Sequence, residues 1–115
     1  MKITVEARHV DASDSIREYV ETKIEKLPRI YDNIQSVEVK LDTEAEHSVV
    51  EIIAQAARRH TFVATHRDQN MYACVDMCLD KIASQIRRFK DRVRDRHAPG
   101  PEGNIHGGGM PGGGT

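Results

Sequence analysis

The run IQSVEVKLDTEAEHSVVEIIAQAARRHTFVATHR, residues 34–67, decides the fold class. It holds three stretches of alternating hydropathy, each the mark of a strand with one face buried. In Ile34–Leu41, the apolar Val37, Val39 and Leu41 alternate with Glu38 and Lys40. In Ser48–Ala57, the residues Val50, Ile52, Ala54 and Ala56 face one way, and Glu51, Ile53 and Gln55 the other. In His60–Arg67, Phe62, Ala64 and His66 oppose Thr61, Val63, Thr65 and Arg67. The turns near Thr43–His47 and Arg58–Arg59 are short enough for antiparallel hairpins.

Upstream, residues 2–8 alternate in the same way, with Ile3, Val5 and Ala7 on one side. Ser13–Leu27 reads as a helix whose apolar stripe is Ile16, Val20, Ile24 and Leu27. Ser13 suits the N-cap, Ser15 with Glu18 fits a capping box as well, and Pro28 falls near the end. Downstream, Asn70–His97 carries Met71, Val75, Leu79, Ile82, Ile86, Phe89 and Val93 at steps of three and four, one face of a long helix. The order is β-α-β-β-β-α. Every strand has one apolar face and every helix one apolar stripe. The economical solution is an α+β two-layer sandwich: a four-stranded sheet with both helices on one face and its other face open to water.

All eight glycines lie between Gly100 and Gly114. The domain is therefore expected over 1–97, with 98–115 a disordered Gly/Pro-rich tail that has almost nothing to bury. No apolar run approaches the ~18 residues of a membrane span, the N-terminus has no signal-peptide pattern, and the two cysteines demand no oxidising compartment. These features point to a cytoplasmic protein with no membrane partner.

The net charge of −1 hides an asymmetry. Residues 1–57 hold 12 acidic and 7 basic side chains; residues 58–97 hold 10 basic and 5 acidic. Such a division suggests a surface that faces a polyanion, because a field is local even when the total is near zero. On the long helix, Arg88, Arg92 and Arg96 stay within about 60° of Lys81, and the four form one ridge beside the apolar stripe. Arg87, Lys90 and Arg94 form a second on the other flank. Lys23 sits near the angular centre of the first helix's stripe and must snorkel to the rim, with Lys26 at the stripe's edge. Two helices with cations along a shared rim suit phosphates, and binding of that kind weakens steeply with salt. The competing account is a solvated helix laced with weak ion pairs to Asp91 and Asp95. A different class of partner, an acidic protein docking on the basic helix, fits the same charges.

The aromatics limit the mode of binding. Phe89 and Tyr19 fall on or near apolar stripes, and no strand carries the paired exposed aromatics of an RNA-recognition sheet. Recognition of backbone and shape in structured RNA fits better than base stacking on the sheet. Cys74 and Cys78 are four residues apart on the long helix. A structural zinc site wants four ligands, and His60 and His66 have no clear reason to converge on them, so both read as small buried thiols and no metal is expected. His97 and His106 could hold a metal only weakly. There is no nucleophile motif and no glycine-rich phosphate loop. An enzyme with a small-molecule substrate or a cofactor is not expected.

The stretch Asp68-Gln69-Asn70-Met71-Tyr72-Ala73-Cys74-Val75-Asp76, followed by Leu79-Asp80-Lys81-Ile82, resembles the start of the second helix in the ribosome hibernation promoting factor and ribosome-associated inhibitor family. There the pattern is Gln-Asp-Met-Tyr-Ala-Ala-Ile-Asp, then an apolar residue and Asp-Lys-Leu. Ser13–Val20, with Ile16-Arg17-Glu18, then Lys23 and Lys26-Leu27, is also similar, and the likeness runs colinearly over residues 1–96. The resemblance implies a short-form member with a double-stranded-RNA-binding-like fold. It implies binding to 16S rRNA of the small ribosomal subunit, in the channel of messenger and transfer RNA, with translation stopped by occlusion. The family's basic positions fall on Lys23, Lys26, Lys81, Arg88 and Arg92, and less directly on Arg17, Arg87 and Lys90. Asn70 replaces the family's Asp, Ser84 stands where some members have a cation, and the C-terminal dimerisation domain of long members has no counterpart here.

Overall fold

The computed structural model describes residues 1–11 and 13–97, with the side chains of 94–97 excluded. The expectations of a disordered tail, of Arg94 and Arg96 as ridge members, and of His97 and His106 as weak ligands lie outside the described residues. The elements run β1 (Lys2–Ala7), α1 (Asp14–Ile24), α2 (Leu27–Ile30), β2 (Ile34–Glu44), β3 (His47–Ala56), a 3-10 turn (Ala57–Arg59), β4 (His60–Asp68) and α3 (Met71–His97). The sheet order is β1-β2-β3-β4. β1 runs parallel to β2, so α1 is the crossover between them, whereas β2, β3 and β4 are successive antiparallel hairpins. The expected α+β two-layer sandwich is the one found.

Local chemistry accounts for the boundaries. Ser13 caps α1, its Oγ accepting from the Ile16 amide at 3.3 Å, and Asp14 places a negative charge in the first turn. The first helix is shorter than its pattern predicts. It stops at Ile24, and a second short helix begins at Leu27 with Pro28 in its first turn. Proline lacks the amide that a first-turn position leaves unbonded anyway, so here it starts a helix rather than ending one. Asn70 caps α3, its Oδ1 accepting from the Ala73 amide at 3.0 Å. β2 extends three residues past Leu41, since Asp42, Thr43 and Glu44 pair with Val49, Ser48 and His47.

The glycine-free body leaves the left-handed backbone positions to other residues. His9, Ala45, Arg58 and Arg59 have φ of 55°, 56°, 63° and 64°. Ala45 turns the β2–β3 hairpin, and the two arginines turn the β3–β4 hairpin. Each Cβ there is crowded against the backbone, a strain of roughly 1 kcal/mol per residue that glycine would avoid.

The core is one apolar cluster. Val37, Val39 and Leu41 of β2, Val50, Ile52 and Ala54 of β3, and Phe62 and Ala64 of β4 point inward, and meet Ile16, Val20 and Ile24 of α1 and Val75, Leu79, Ile82 and Ile86 of α3. Cys74 and Cys78 belong to it as well and are fully buried. Each fully buried Ile, Leu or Val adds about 1.5–3 kcal/mol relative to exposure. The helices shield both edges of the sheet. Arg17 donates to the Val5 carbonyl at 3.3 Å on β1, and Lys81 and Gln85 donate to the Thr65 and Val63 carbonyls of β4, both at 2.8 Å. Covering those carbonyls blunts the tendency of an edge strand to pair with another chain.

Candidate nucleic-acid interface

Docking its apolar stripe fixes where α3 sends its cations. One flank faces α1 and α2. There Arg87 joins Lys23, Lys26 and Arg29 around a groove of about 580 Å³ floored by Leu27, Ile30, Leu79 and Ala83. Asp76 and Asp80 also line it, so the groove is basic with two carboxylates set among the cations. The other flank faces β4, where Lys81 and Arg88 border a shallower cleft beside Val63, Thr65 and Met77.

The sequence-predicted residues therefore separate. Lys23, Lys26 and Arg87 come together, as do Lys81 and Arg88. Arg92 leaves the ridge assigned to it: it lines a cavity at the end of the domain with Tyr31, Arg58, His60 and Phe89. Lys90 is half-buried and its Nζ donates to the Ile30 carbonyl, the C-terminal carbonyl of α2. A cation there answers the unsatisfied carbonyls of a helix end, so Lys90 ties α3 to α2 instead of standing free on a ridge.

Lys23 snorkels as its position demands. Its Nζ lies 3.8 Å from Asp76 Oδ1 and 5.3 Å above the Tyr19 ring. The Tyr19 hydroxyl donates to the same Asp76 oxygen at 2.7 Å, and Tyr72 packs edge-on against Tyr19 with centroids 4.9 Å apart. The Asp76 hydrogen bond, then burial, push the Tyr19 phenol above its ordinary pKa. This network joins α1 to α3 and holds Lys23 at the groove's rim.

Lys26, Arg29, Arg87, Arg88 and Arg92 have no ion-pair partner within 4.0 Å among the described residues. Cations with no such partner on both flanks of one helix, among the described residues, keep their field for an external anion. Sequence reasoning missed Arg29 and Arg58. Arg29 was hidden because Pro28 read as the end of a helix, and Arg58 because a hairpin turn carries no hydropathy signal. The Arg58-Arg59 pair was itself the available clue.

Cys74 Sγ donates to the His66 carbonyl at 3.0 Å, and Cys78 Sγ to the Ala64 carbonyl at 3.3 Å. Burial pushes the Cys74 thiol up and the Cys78 thiol up to about 12. Both stay protonated at neutral pH, unsuited to binding a metal as thiolates. No group of three potential metal ligands occurs among the described residues, and none of their helices is long and apolar enough to cross a membrane.

Comparison with known proteins agrees with this architecture. Residues 3–94 match the model of the family described as "Sigma 54 modulation protein / S30EA ribosomal protein". The ribosome hibernation promoting factor of Azotobacter vinelandii is 30% identical over 96 residues, covering 84% of this chain and 89% of that protein. The ribosome hibernation promotion factor of Lactococcus lactis is 31% identical over 111 residues, covering 93% of this chain and 60% of the longer relative. Among solved structures, the N-terminal domain of Thermus thermophilus Protein Y superimposes with a TM-score of 0.71 at 28% identity, covering 77% of this chain and 99% of that one. A ribosomal subunit interface protein from Coxiella burnetii shares the fold, with a TM-score of 0.74 at 23% identity over 79% of this chain and 99% of that one. With its sandwich, its Met71-Tyr72 helix start and its match over residues 3–94, the chain belongs to the Sigma 54 modulation protein / S30EA ribosomal protein family, the family of the ribosome hibernation promoting factors.

Proposed function

We propose that the protein is a ribosome hibernation factor. It binds the small ribosomal subunit against 16S rRNA, in the channel that messenger and transfer RNA use. It inhibits translation by occupying that channel and stabilises the idle ribosome. It acts in the cytoplasm, as a steric block, without catalysing a reaction and without a cofactor. Lys23, Lys26 and Arg87 on one flank of α3, and Lys81 and Arg88 on the other, make the phosphate contacts, with Arg92 adding a cation at the end of the domain. Lys90 contributes mainly by fixing α2 against α3.

The observation that carries this reading is the set of cations on both flanks of α3, of which Lys26, Arg87 and Arg88 have no ion-pair partner among the described residues, displayed on a sheet-backed helix. The names of the relatives support the ribosome as the partner. A rigid cationic ridge matches the fixed phosphate geometry of folded RNA, whereas the described surface offers no paired aromatics on the open sheet face for splayed bases.

The test is co-sedimentation with purified small subunits across a salt series. Two variants are compared: Lys81→Glu/Arg88→Glu/Arg92→Glu and Lys23→Glu/Lys26→Glu/Arg87→Glu. Circular dichroism checks that each stays folded. Removing one cation–phosphate pairing should lower the slope of log affinity against log salt by about 0.7–0.9, so roughly 2–3 for a full triplet. Wild-type sedimentation and an unchanged salt slope in both folded variants would refute the proposal.

A further inference from the structure

We propose that the cavity at the β3–β4 turn is a nucleotide pocket. It takes one unpaired nucleoside phosphate, with the base stacked on the aromatic cluster around Phe89 and the phosphate held between Arg58 and Arg92. It is separate from the groove and cleft that flank α3, and it reads a base rather than a backbone.

The cavity encloses about 520 Å³ between the β3–β4 turn, the segment before β2 and the far end of α3. That volume falls within the ~300–1,000 Å³ of small-ligand pockets. Its floor is aromatic. The Phe89 ring centroid lies 4.1 Å from that of His60 and 5.9 Å from that of Tyr31. Phe89 and Tyr31 are half-buried and His60 is exposed, so the cluster is anchored on one side and open on the other. The rings are inclined to one another, by 59° for His60 and Phe89 and 64° for Tyr31 and Phe89, so a base stacks on a single ring face, the exposed His60 being the most open, and any base offers a π-face for it.

Two guanidiniums stand at the same cavity, Arg58 from the turn and Arg92 from α3. Both are exposed, and neither has an ion-pair partner among the described residues. A guanidinium fork suits a phosphate, which accepts two parallel hydrogen bonds from it, and two arginines lining one cavity offer two such forks. Asn33 also lines the cavity. Its Nδ2 donates to the Tyr31 hydroxyl at 3.1 Å, which leaves its side-chain carbonyl to accept from the edge of a base.

The backbone supplies an independent observation. Arg58 has φ 63° and ψ 29°, and Arg59 next to it has φ 64°. Two consecutive arginines hold a conformation that glycine takes without crowding. Strained non-glycine residues of this kind concentrate at ligand sites, where the side chain is kept for what it contacts.

The nucleoside phosphate can be a residue of RNA or a free nucleotide, and the titration separates them. The isotope-labelled chain is titrated with adenosine 5′-monophosphate, single-stranded hexa-adenylate, an RNA duplex and inorganic phosphate. The readout is the ring protons of Phe89 and His60 and the side-chain amide of Asn33. The mononucleotide and hexa-adenylate should both shift the ring protons upfield, and phosphate alone should not. Saturation by hexa-adenylate at a concentration at least tenfold below the mononucleotide identifies an RNA residue; equal or tighter binding of the mononucleotide identifies a free nucleotide. Arg58→Gly should fold with an equal or higher melting temperature, because glycine fits φ 63°, and should weaken either titration at least fivefold. The proposal is overturned by unmoved rings with both probes, by phosphate or duplex alone reproducing the shifts, or by unchanged binding in the folded Arg58→Gly variant. No ribosome enters the experiment, so its failure leaves the ribosome reading standing, and the converse holds.

Discussion

Tyr19→Phe tests whether the α1–α3 network holds the interface in shape. The phenol donates to Asp76 Oδ1 at 2.7 Å across 57 residues of sequence, and the same oxygen lies 3.8 Å from Lys23 Nζ. An O–H···O⁻ bond of that length is charge-assisted and worth about 1.5–3 kcal/mol where water is excluded. Asp76 is about 44% exposed along its side chain, so water competes for the carboxylate. About 1 kcal/mol is then the expected coupling, equivalent to roughly 4–8 °C in melting temperature for a domain of this size. The assay is urea unfolding of wild type, Tyr19→Phe, Asp76→Ala and the double variant. The cycle isolates the pair and cancels the intrinsic gain of alanine in a helix. The pH dependence gives a second readout. The phenol's pKa is raised in the folded protein, so its contribution is fully present below pH 10 and is lost as pH rises through the folded value. The difference between wild type and Tyr19→Phe should shrink on that alkaline limb. A coupling below about 0.3 kcal/mol, within the noise of additivity, would refute the reasoning.

Three further outcomes are expected. Cys74 and Cys78 are buried and held as thiols, so iodoacetamide at pH 8 should leave the native protein unlabelled and modify both once guanidinium unfolds it; labelling of the native state would contradict the burial. Ile82→Ala removes a fully buried side chain and should cost about 2–5 kcal/mol in urea unfolding, whereas Ser84→Ala on the exposed face should stay within about 0.5 kcal/mol. The His9 ring at 3.1 Å, with the Thr43 amide, holds the Asp42 carboxyl below its usual 3.8. Wild type should exceed His9→Ala in stability near pH 5, and the difference should fade as pH drops through the folded value of Asp42; a gap that persists at pH 2 would exclude this linkage.

The strands and the long helix were legible because hydropathy period reports burial directly. Val37, Val39 and Leu41, or Ile82 and Ile86, have nowhere to go but a core, and all are found there. Boundaries were less legible. Pro28 suits either the first turn of a helix or a position just past a helix end, and only the docking of Leu27 and Ile30 on the rest of the domain shows that it opens α2. The parallel pairing of β1 with β2 was not readable either, since alternation along a strand says which face is buried and nothing about which neighbour lies beside it.

The cations divide along the same line. Sequence by itself determined that α3 has one apolar stripe flanked by basic residues, because 100° per residue fixes angular position on a helix. It also determined the family, through the residues of the first turns of α3. Tertiary structure alone decided what each cation does. Arg87 meets Lys23, Lys26 and Arg29 because α1 and α2 lie along that flank, and Lys81 caps Thr65 because β4 lies along the other. Lys90 is drawn to the Ile30 carbonyl, while Arg92 reaches a cavity shared with Arg58, 34 residues earlier in the chain. Angular position belongs to one helix, but the partner at each angle belongs to the packing, and no local rule in the sequence encodes it.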